Sequence, residues 1–293
     1  MTTLALGATG SMLAALRVRQ WIKNLLVVAP LLPAAELVGP DALAGAGVAF
    51  AMFCLLSSGI YLLNDVLDVE ADRAHPVKRH RPVAAGTVTA GSALVLAGAL
   101  LLGGLGLATV RGTDLVVVAV AYLAIQVAYC LGVKRVPVLE LGAVASGFLL
   151  RALAGGVGAG IPLSPWFLLT AGFGSLFVAA GKRYGEARRG EADGTYVRDV
   201  VRAYSPSYLR FVWTTAAAIV VGTYSLWAFQ VDSESHSTWT MLSTVPFVLA
   251  LLRYAMNVDA GRAEEPEEIV LHDRMLLTLG LIWAASLVVA ELL

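Results

Sequence analysis

Oxygen-bearing side chains recur at helical spacing in the stretch NDVLDVEADRAHPVKRHRP, residues 64–82. Asn64, Asp68 and Asp72 are four residues apart, and Asp65 lies one position off this series. Residues at i and i+4 of a helix share one face, so a continuing helix directs these oxygens along a single stripe. Carboxylates on neighbouring turns repel one another, and a cation between them relieves the repulsion. Oxygen ligands without histidine or cysteine favour Mg²⁺ over Zn²⁺.

Basic residues follow these acids directly along the chain. Arg73, Lys78, Arg79 and Arg81 all lie within the same stretch. A diphosphate offers oxygens to a divalent metal and, at the same time, to guanidinium and ammonium groups, so this order of acids and bases predicts a metal-diphosphate site. The alternative is a solvated loop in which the bases simply pair with the acids, as exposed ion pairs commonly do.

Two other stretches combine bases with a carboxylate, YCLGVKRVPVLE at residues 129–140 and GKRYGEARRGEAD at residues 181–193. Lysine is a rare choice in this chain, because only four of its 21 basic residues are lysines, namely Lys23, Lys78, Lys134 and Lys182. One interpretation gathers several of them around a phosphate-rich cavity. The other attributes their position to the excess of positive charge in cytoplasmic loops. The sequence leaves this choice open for each lysine.

The elements that must position these residues are membrane helices. The 293 residues are 58% hydrophobic and only 14% charged, with a mean hydropathy of +0.76, whereas soluble domains are roughly 25% charged. Apolar runs long enough to cross a ~30 Å hydrocarbon core predict nine transmembrane helices, because backbone polar groups in lipid must be satisfied within the segment. We expect an all-α, polytopic membrane protein with a single domain over residues 1–293. The predicted spans lie near residues 21–38, 42–63, 90–110, 114–130, 139–159, 165–181, 208–229, 239–256 and 275–292.

The distribution of basic residues predicts the orientation. The formal net charge is zero, which gives no field that would attract nucleic acid. Alternate loops on one side carry most of the bases, and the opposite loops contain only Arg111. The positive-inside rule therefore places the N-terminus and the acid cluster in the cytoplasm and the C-terminus outside. The loops expected outside lie near residues 39–41, 111–113, 160–164 and 230–238.

Charges deep inside an apolar run need a partner. Arg151 lies far into the predicted span 139–159, and Glu36 lies at a similar depth in the span 21–38. Intramembrane charges seldom stay unpaired. Either the two side chains form a structural pair, or Arg151 lines a cavity for lipid.

Small residues in the spans are interpreted as packing groups. Gly142 and Ser146 are four residues apart, which favours close contact between helices. Cys54 and Cys130 lack the spacing of a metal site or a disulfide framework, and we expect both in the core.

The chain resembles the UbiA superfamily of intramembrane prenyltransferases. The Asn-Asp-x-x-Asp-x-x-x-Asp motif of that superfamily is present as Asn64, Asp65, Asp68 and Asp72. Its Tyr-x-x-x-x-Lys-Arg element is present as Tyr129, Lys134 and Arg135. The resemblance implies nine helices around a central cavity that opens to the cytoplasm, with Mg²⁺ as cofactor and a polyprenyl substrate.

One departure from the superfamily pattern narrows the resemblance. A second aspartate-rich motif is usual, but this chain has GKRYGE at residues 181–186, so a second metal is not expected there. Together with RQWIKNLLVVAPL, DVEADRAHPVKRHRPVAAG and LHDR, the motif resembles the decaprenyl-phosphate phosphoribosyltransferase branch, which makes precursors of cell-wall arabinan. This resemblance implies a bacterial inner-membrane enzyme that moves 5-phosphoribosyl from phosphoribosyl pyrophosphate to a polyprenyl (decaprenyl) phosphate and releases pyrophosphate.

The resemblance assigns roles to individual residues. Asn64, Asp68 and Asp72 are the predicted metal ligands, and Asp65, Asp68 and Asp72 are the predicted catalytic residues. The predicted substrate-binding residues are Lys23, Lys78, Arg79, Arg81, Tyr129, Lys134, Arg135, Lys182, Arg183 and Glu186. A homo-oligomer is compatible with the sequence, which does not fix the oligomeric state.

Two other functions stay open at this stage. One is an ordinary UbiA-type transfer of a polyprenyl group from its diphosphate to an aromatic acceptor of a quinone pathway, against which the basic GKRYGE motif argues. The other is a transporter or lipid flippase that uses the charged face as a gate. Such a protein lacks Mg²⁺-dependent release of pyrophosphate.

Overall fold

The computed structural model describes residues 8–193, 198–235, 238–263 and 266–292, and every regular element in these ranges is helical. A long 3₁₀ segment, Val18–Leu37, follows the first α-helix. The α-helices in chain order are α1 (Ala8–Ala15), α2 (Pro40–Leu67), α3 (Val69–Ala74), α4 (Ala90–Ala108), α5 (Thr113–Leu131), α6 (Leu139–Ala159), α7 (Pro165–Asp193), α8 (Asp199–Arg202), α9 (Pro206–Ser235), α10 (Thr238–Leu242), α11 (Thr244–Asp259), α12 (Pro266–His272) and α13 (Arg274–Leu292).

Six helical stretches in the described ranges are long and apolar enough to cross a membrane, which confirms an all-helical integral membrane protein. They are Pro40–Leu67, Ala90–Arg111, Thr113–Leu131, Leu139–Ala159, Pro206–Gln230 and Thr238–Asp259. The other three predicted spans are also helical, and they lie in the 3₁₀ segment, in α7 and in α13. Helix α7 combines an apolar first half with a highly charged second half, and the apolar part of α13 is short.

The 3₁₀ segment owes its form to proline. Pro30 and Pro33 lie inside it, and Ala34 leaves helical geometry with φ −137° and ψ 36°. Proline has no N–H to donate and its ring clashes with the preceding turn, so an α-helix cannot run through this region unchanged. The segment nevertheless packs tightly, because Val27 and Asn24 on its inner face are fully buried.

Two groups of buried apolar side chains hold the bundle together. One surrounds Phe177, Trp213 and Tyr254 on α7, α9 and α11. The other surrounds Phe53 on α2 and Tyr122 on α5, whose rings meet edge to face at 4.9 Å. Helix α6 contributes side chains to both groups, so it joins the two halves of the molecule.

Close helix packing occurs at glycines, but not at the one predicted from sequence. A Cβ added to Gly155 would lie 1.9 Å from the carbonyl oxygen of Val27, and one added to Gly45 would lie 1.9 Å from that of Gly158. Gly142 has nothing within 4 Å of an added Cβ, so its predicted role in close packing is wrong. Gly142 and Gly155 lie on the same helix, and the neighbours of each position, which the sequence does not give, decide which of them is tight.

We expect Gly155→Ala to destabilise the protein, because the new methyl group pushes the 3₁₀ segment away from α6. Overpacking of this kind costs about 1–3 kcal/mol. Thermal unfolding in detergent should show a lower midpoint. Gly142→Ala on the same helix is the control and should leave the midpoint near that of the wild type. Equal midpoints for the two variants would contradict the packing described here.

Candidate active site

A polar cavity of about 1300 Å³ lies between the 3₁₀ segment, α2, α3, α5, α7 and the turns that join them. Most of the predicted site residues line it. They are Lys23, Asn64, Asp68, Asp72, Lys78, Arg81, Tyr129, Lys134, Arg135, Lys182 and Arg183. Asp65, Arg79 and Glu186 are not part of the lining.

The predicted stripe of oxygens survives a break in the helix. Helix α2 ends at Leu67, and Asp68 has φ −100° and ψ 10° before α3 begins. The four-residue hydrogen bonds continue across this break, since the N–H of Asp68 donates to the carbonyl of Asn64 at 2.9 Å and that of Asp72 to the carbonyl of Asp68 at 2.8 Å. All three side chains therefore face the cavity, as their spacing predicts.

One ammonium group brings the first two of these side chains together. Lys134 Nζ donates to both carboxylate oxygens of Asp68 at 2.6 Å and to Asn64 Oδ1 at 3.2 Å. Lys134 comes from the short turn Val133–Arg135 between α5 and α6. The oxygens of Asn64 and Asp68 thus converge on a single cationic group, which is the arrangement a cation site needs.

A second set of ion pairs holds Asp65 and Asp72. Arg81 Nη1 donates to Asp72 Oδ2 at 2.7 Å and to Asp65 Oδ1 at 3.2 Å. Arg17 also donates to Asp65, and Lys78 Nζ lies 4.0 Å from Asp72 Oδ1. Asp65 is 1% exposed and sits behind the cavity wall. It connects two arginines and does not face the cavity space.

The donor set at the cavity wall fits Mg²⁺. Asn64, Asp68 and Asp72 offer oxygen atoms only, and no group of three His, Cys, Asp or Glu side chains in the described ranges is close enough to hold a metal by itself. Mg²⁺ typically binds through one or two carboxylates, with waters and substrate phosphates completing its coordination. Asp65 Oδ2, which is buried behind this wall, has no hydrogen-bond partner.

The GKRYGE motif forms a separate charged group. All three guanidinium nitrogens of Arg183 donate to carboxylates, two to Glu140 at 2.7–3.0 Å and one to Glu186 at 3.0 Å. Arg198 Nη2 lies 3.5 Å from Glu186 Oε1. Lys182 lines the cavity beside this group. Because bases enclose Glu186, this motif presents positive charge to the cavity.

Burial and neighbouring positive charges lower the pKa values of several bases at the cavity. Burial lowers the pKa of Lys182, which lies just beyond the apolar run 165–181, and the charge of Lys23 lowers it further. Burial and then Arg198 lower the pKa of Lys78, and burial and then Lys78 lower the pKa of His75. Burial is the largest cause of each shift, and repulsion from the neighbouring bases adds to it, so the bases of this cavity lie close enough to interact.

Several residues at the site were not predicted from the sequence, and Arg79, which was predicted, lies on the exposed surface. Arg17, Gln126 and Arg198 line the cavity, and Glu140 is buried directly behind it. Arg17 and Arg198 could have been found as bases close to the ends of predicted spans, whereas Glu140 was noted only as the carboxylate of the stretch YCLGVKRVPVLE and was given no role. Arg79 is exposed, and its Nε donates to His80 3.3 Å away.

Arg151 is a structural residue of the bundle interior. Its Nε donates to Asn24 Oδ1 at 2.7 Å and its Nη1 to the carbonyl of Gly147 at 2.6 Å. The guanidinium lies 5.1 Å from the ring centroid of Phe53 and 5.2 Å from that of Tyr122. Arg151 is buried, and it is not among the residues that line the polar cavity. The side chain of Glu36, the partner predicted for Arg151, lies outside the described part of the structure.

Comparison with known proteins identifies the family. The sequence model of the UbiA prenyltransferase family matches residues 24–280. The chain belongs to the UbiA prenyltransferase family. It is 48% identical over 288 residues to the decaprenyl-phosphate phosphoribosyltransferase of Mycolicibacterium smegmatis, covering 94% of this chain and 91% of that protein. It is also 48% identical over 287 residues to the Corynebacterium glutamicum protein of the same name, covering 95% of this chain and 86% of the relative. The resemblance inferred from the motifs is confirmed.

The fold agrees with solved members of the UbiA family. A UbiA homolog from Archaeoglobus fulgidus, solved with GPP and Mg²⁺ bound, superposes with a TM-score of 0.73. The two proteins are 16% identical, and the superposition covers 96% of this chain and 98% of that one. At this identity the likeness establishes the shared fold and nothing finer.

We expect the affinity for inorganic pyrophosphate to fall with rising pH. The protonated ammonium of Lys182 attracts an anion and the neutral amine does not. Because its pKa is lowered, this loss begins at lower pH than the ~10.4 of an ordinary lysine. Titration calorimetry over an alkaline pH series measures the effect. Lys182→Arg stays charged throughout and should flatten the dependence. An equally steep dependence in this variant would contradict the role of Lys182.

Proposed function

We propose that this protein transfers 5-phosphoribosyl from phosphoribosyl pyrophosphate to a polyprenyl (decaprenyl) phosphate, releasing pyrophosphate. The observation that carries the proposal is 48% identity, over nearly the whole of both chains, to enzymes named decaprenyl-phosphate phosphoribosyltransferase. The cavity supports it, because a sugar phosphate donor and a lipid phosphate acceptor together bring several phosphate groups to a wall rich in bases. The product would serve as a precursor of cell-wall arabinan.

The proposal places residues 1–293 as one transferase domain in a bacterial inner membrane. Nine helices would surround the cavity, which would open to the cytoplasm together with the N-terminus, while the C-terminus would face outward. The excess of bases at one end of the bundle supports this orientation. A soluble donor would then reach the cavity from the cytoplasm, and the lipid acceptor from the bilayer.

Asn64, Asp68 and Asp72 would hold Mg²⁺ at the wall of the cavity. The metal would supply positive charge to the pyrophosphate of the donor, which stabilises that group as it leaves. Lys134 and Arg81 contact these carboxylates, so both bases lie where they could also contact the pyrophosphate of the donor. Preorganised charge of this kind is commonly the largest contribution to catalysis.

The remaining chemistry needs positioning and no general base. The phosphate oxygen of the lipid is already anionic near neutral pH and can attack the ribose at C1 directly, with inversion at that carbon. As the bond to pyrophosphate breaks, the ribose becomes oxocarbenium-like. The bases that line the cavity would orient the pyrophosphate, the ribose 5-phosphate and the lipid phosphate. These bases are Lys23, Lys78, Arg81, Lys134, Arg135 and Lys182.

Asp65 acts indirectly in this scheme. Sequence reasoning assigned it to catalysis, but its carboxylate lies behind the wall and binds Arg17 and Arg81. Its role in the proposal is to hold Arg81 against Asp72, where the arginine can reach a phosphate oxygen. A buried carboxylate between two guanidinium groups is well suited to this task.

The second candidate function is transfer of a prenyl group from its diphosphate to an aromatic acceptor. Membership of the UbiA prenyltransferase family favours retaining this candidate. The basic character of the GKRYGE motif argues against it.

Purified protein supplied with radiolabelled donors distinguishes the two candidate functions. Label should pass from phosphoribosyl pyrophosphate to polyprenyl phosphate, and transfer from prenyl diphosphate to an aromatic acceptor instead would overturn the proposal.

We expect Asp68→Asn to abolish phosphoribosyl transfer while the protein stays folded. The change removes one charge from the metal site and keeps the shape of the side chain, and loss of such preorganised charge costs about 100- to 1000-fold in rate. The measurement is Mg²⁺-dependent release of pyrophosphate from phosphoribosyl pyrophosphate and polyprenyl phosphate in detergent. Size-exclusion and thermal profiles establish that the variant is folded.

Glu70→Gln is the matched control for Asp68→Asn. Glu70 lies two residues along the same stretch, but its side chain is 81% exposed and pairs with Arg73 outside the cavity. Its neutralisation should change the rate by less than about twofold, as expected of an exposed ion pair. Near-normal turnover by Asp68→Asn, or equal losses in both variants, would refute the assignment of Asp68 to the metal.

A further inference from the structure

Glu140 lies at the centre of a buried charge cluster behind the cavity. It is the second residue of α6 and is 0% exposed. Arg183 of α7 binds it through Nε and Nη2, at distances of 2.7 to 3.0 Å. The third guanidinium nitrogen of Arg183 binds Glu186. Since carboxylates occupy all three nitrogens, Arg183 is anchored in place and its neighbour Lys182 extends from a fixed point into the cavity.

The same cluster also fixes the turn that carries Lys134 and Arg135. Val138, which lies between this turn and the start of α6, has φ +69°. This conformation is strained for a β-branched residue. Its N–H donates to the hydroxyl of Tyr204 at 2.6 Å, and that hydroxyl lies 3.5 Å from Glu140 Oε1. Strain persists only where the surroundings over-determine it. Glu140 and Tyr204 supply those surroundings at this turn.

We propose that Glu140 is a positioning residue that sets two phosphate-binding segments at once. Through Arg183 it places Lys182, and through the start of α6 and Tyr204 it places Lys134 and Arg135. This inference rests on the proposed function for the identity of the donor. It assigns Arg183 to positioning as well, in place of the substrate contact predicted from sequence.

The geometry distinguishes this role from simple stabilisation. Removing one partner of a buried ion pair costs about 3–5 kcal/mol, so the informative variants change the reach of a side chain and keep both charges. A shift of about 1 Å in a group that contacts substrate, by contrast, can cost up to 100-fold. Changing the reach of Glu140 should therefore alter phosphate binding more than it alters folding.

The test compares Glu140→Asp and Arg183→Lys with Arg111→Lys. Arg111 also binds a carboxylate through two nitrogens, because its Nη1 and Nη2 donate to the carboxylate oxygens of Asp41 at 2.8 Å. Asp41 is at the start of α2, the end far from the acid cluster, and neither Asp41 nor Arg111 lines the cavity. Binding of inorganic pyrophosphate in the presence of Mg²⁺ is measured by calorimetry, and KM and kcat for phosphoribosyl pyrophosphate by transfer to polyprenyl phosphate. Thermal midpoints of all variants are recorded.

Glu140→Asp and Arg183→Lys should weaken pyrophosphate binding and raise KM by about 10- to 100-fold, with a much smaller change in kcat. Arg111→Lys should leave binding and KM within about twofold of the wild type. If Glu140→Asp does not fold, Tyr204→Phe keeps every charge of the cluster and should weaken binding about fivefold, the value of one hydrogen bond.

Two outcomes overturn the inference. In one, Arg183→Lys weakens binding while Glu140→Asp and Tyr204→Phe leave it unchanged, which would make Arg183 a direct substrate contact. In the other, Arg111→Lys weakens binding as much as the cluster variants do for the same fall in thermal midpoint. The role of Glu140 is tested by pyrophosphate binding alone, without any measurement of transfer. A wild-type protein that binds pyrophosphate but transfers no phosphoribosyl group would contradict the proposed function alone.

Discussion

The structure depends on pairing buried and half-buried carboxylates with bases at one end of a helical bundle. Asp65, Asp68, Asp72 and Glu140 each contact at least one lysine or arginine at hydrogen-bond distance. An isolated charge in a low-dielectric interior costs several kcal/mol, so each acid requires a base nearby. These pairs draw α2, α3, α6, α7 and the connecting turns around one cavity. The ion pairs that stabilise these acids inside a membrane protein therefore also bring the residues of the candidate active site together.

Sequence periodicity predicted the part of this site that lies on one helix. The four-residue spacing of Asn64, Asp68 and Asp72 placed them on one face, and the hydrogen bonds across Asp68 preserve that face through the break between α2 and α3. The helical class and six of the spans follow from hydropathy alone, because the bilayer demands long apolar helices. The 3₁₀ form of Val18–Leu37 was not predicted, because hydropathy identifies an apolar run without regard to the two prolines inside it.

Pairings between distant residues could not be predicted from sequence. Glu140 and Arg183 are 43 positions apart, and Arg17 and Asp65 are 48 apart. Nothing in the local pattern of Glu140 separates a buried anchor from a solvated acid at the start of a helix. The same limit explains Gly142, since close packing depends on what the neighbouring helix brings to a position. From the motifs alone, Asp65 was assigned to catalysis and Arg183 to substrate binding, whereas in the structure Asp65 pairs with Arg17 and Arg81. Arg183 pairs with Glu140 and Glu186.

The main proposal is that the oxygens of Asn64, Asp68 and Asp72, with the bases that line the same cavity, bind a diphosphate together with Mg²⁺. Equilibrium binding of phosphoribosyl pyrophosphate to the purified protein, measured with Mg²⁺ and again with excess chelator, tests it most directly. The claim predicts saturable binding with Mg²⁺ that weakens by at least about tenfold when the metal is removed. Binding of equal strength in both conditions would mean that the bases alone hold the donor and that the carboxylate wall serves another purpose.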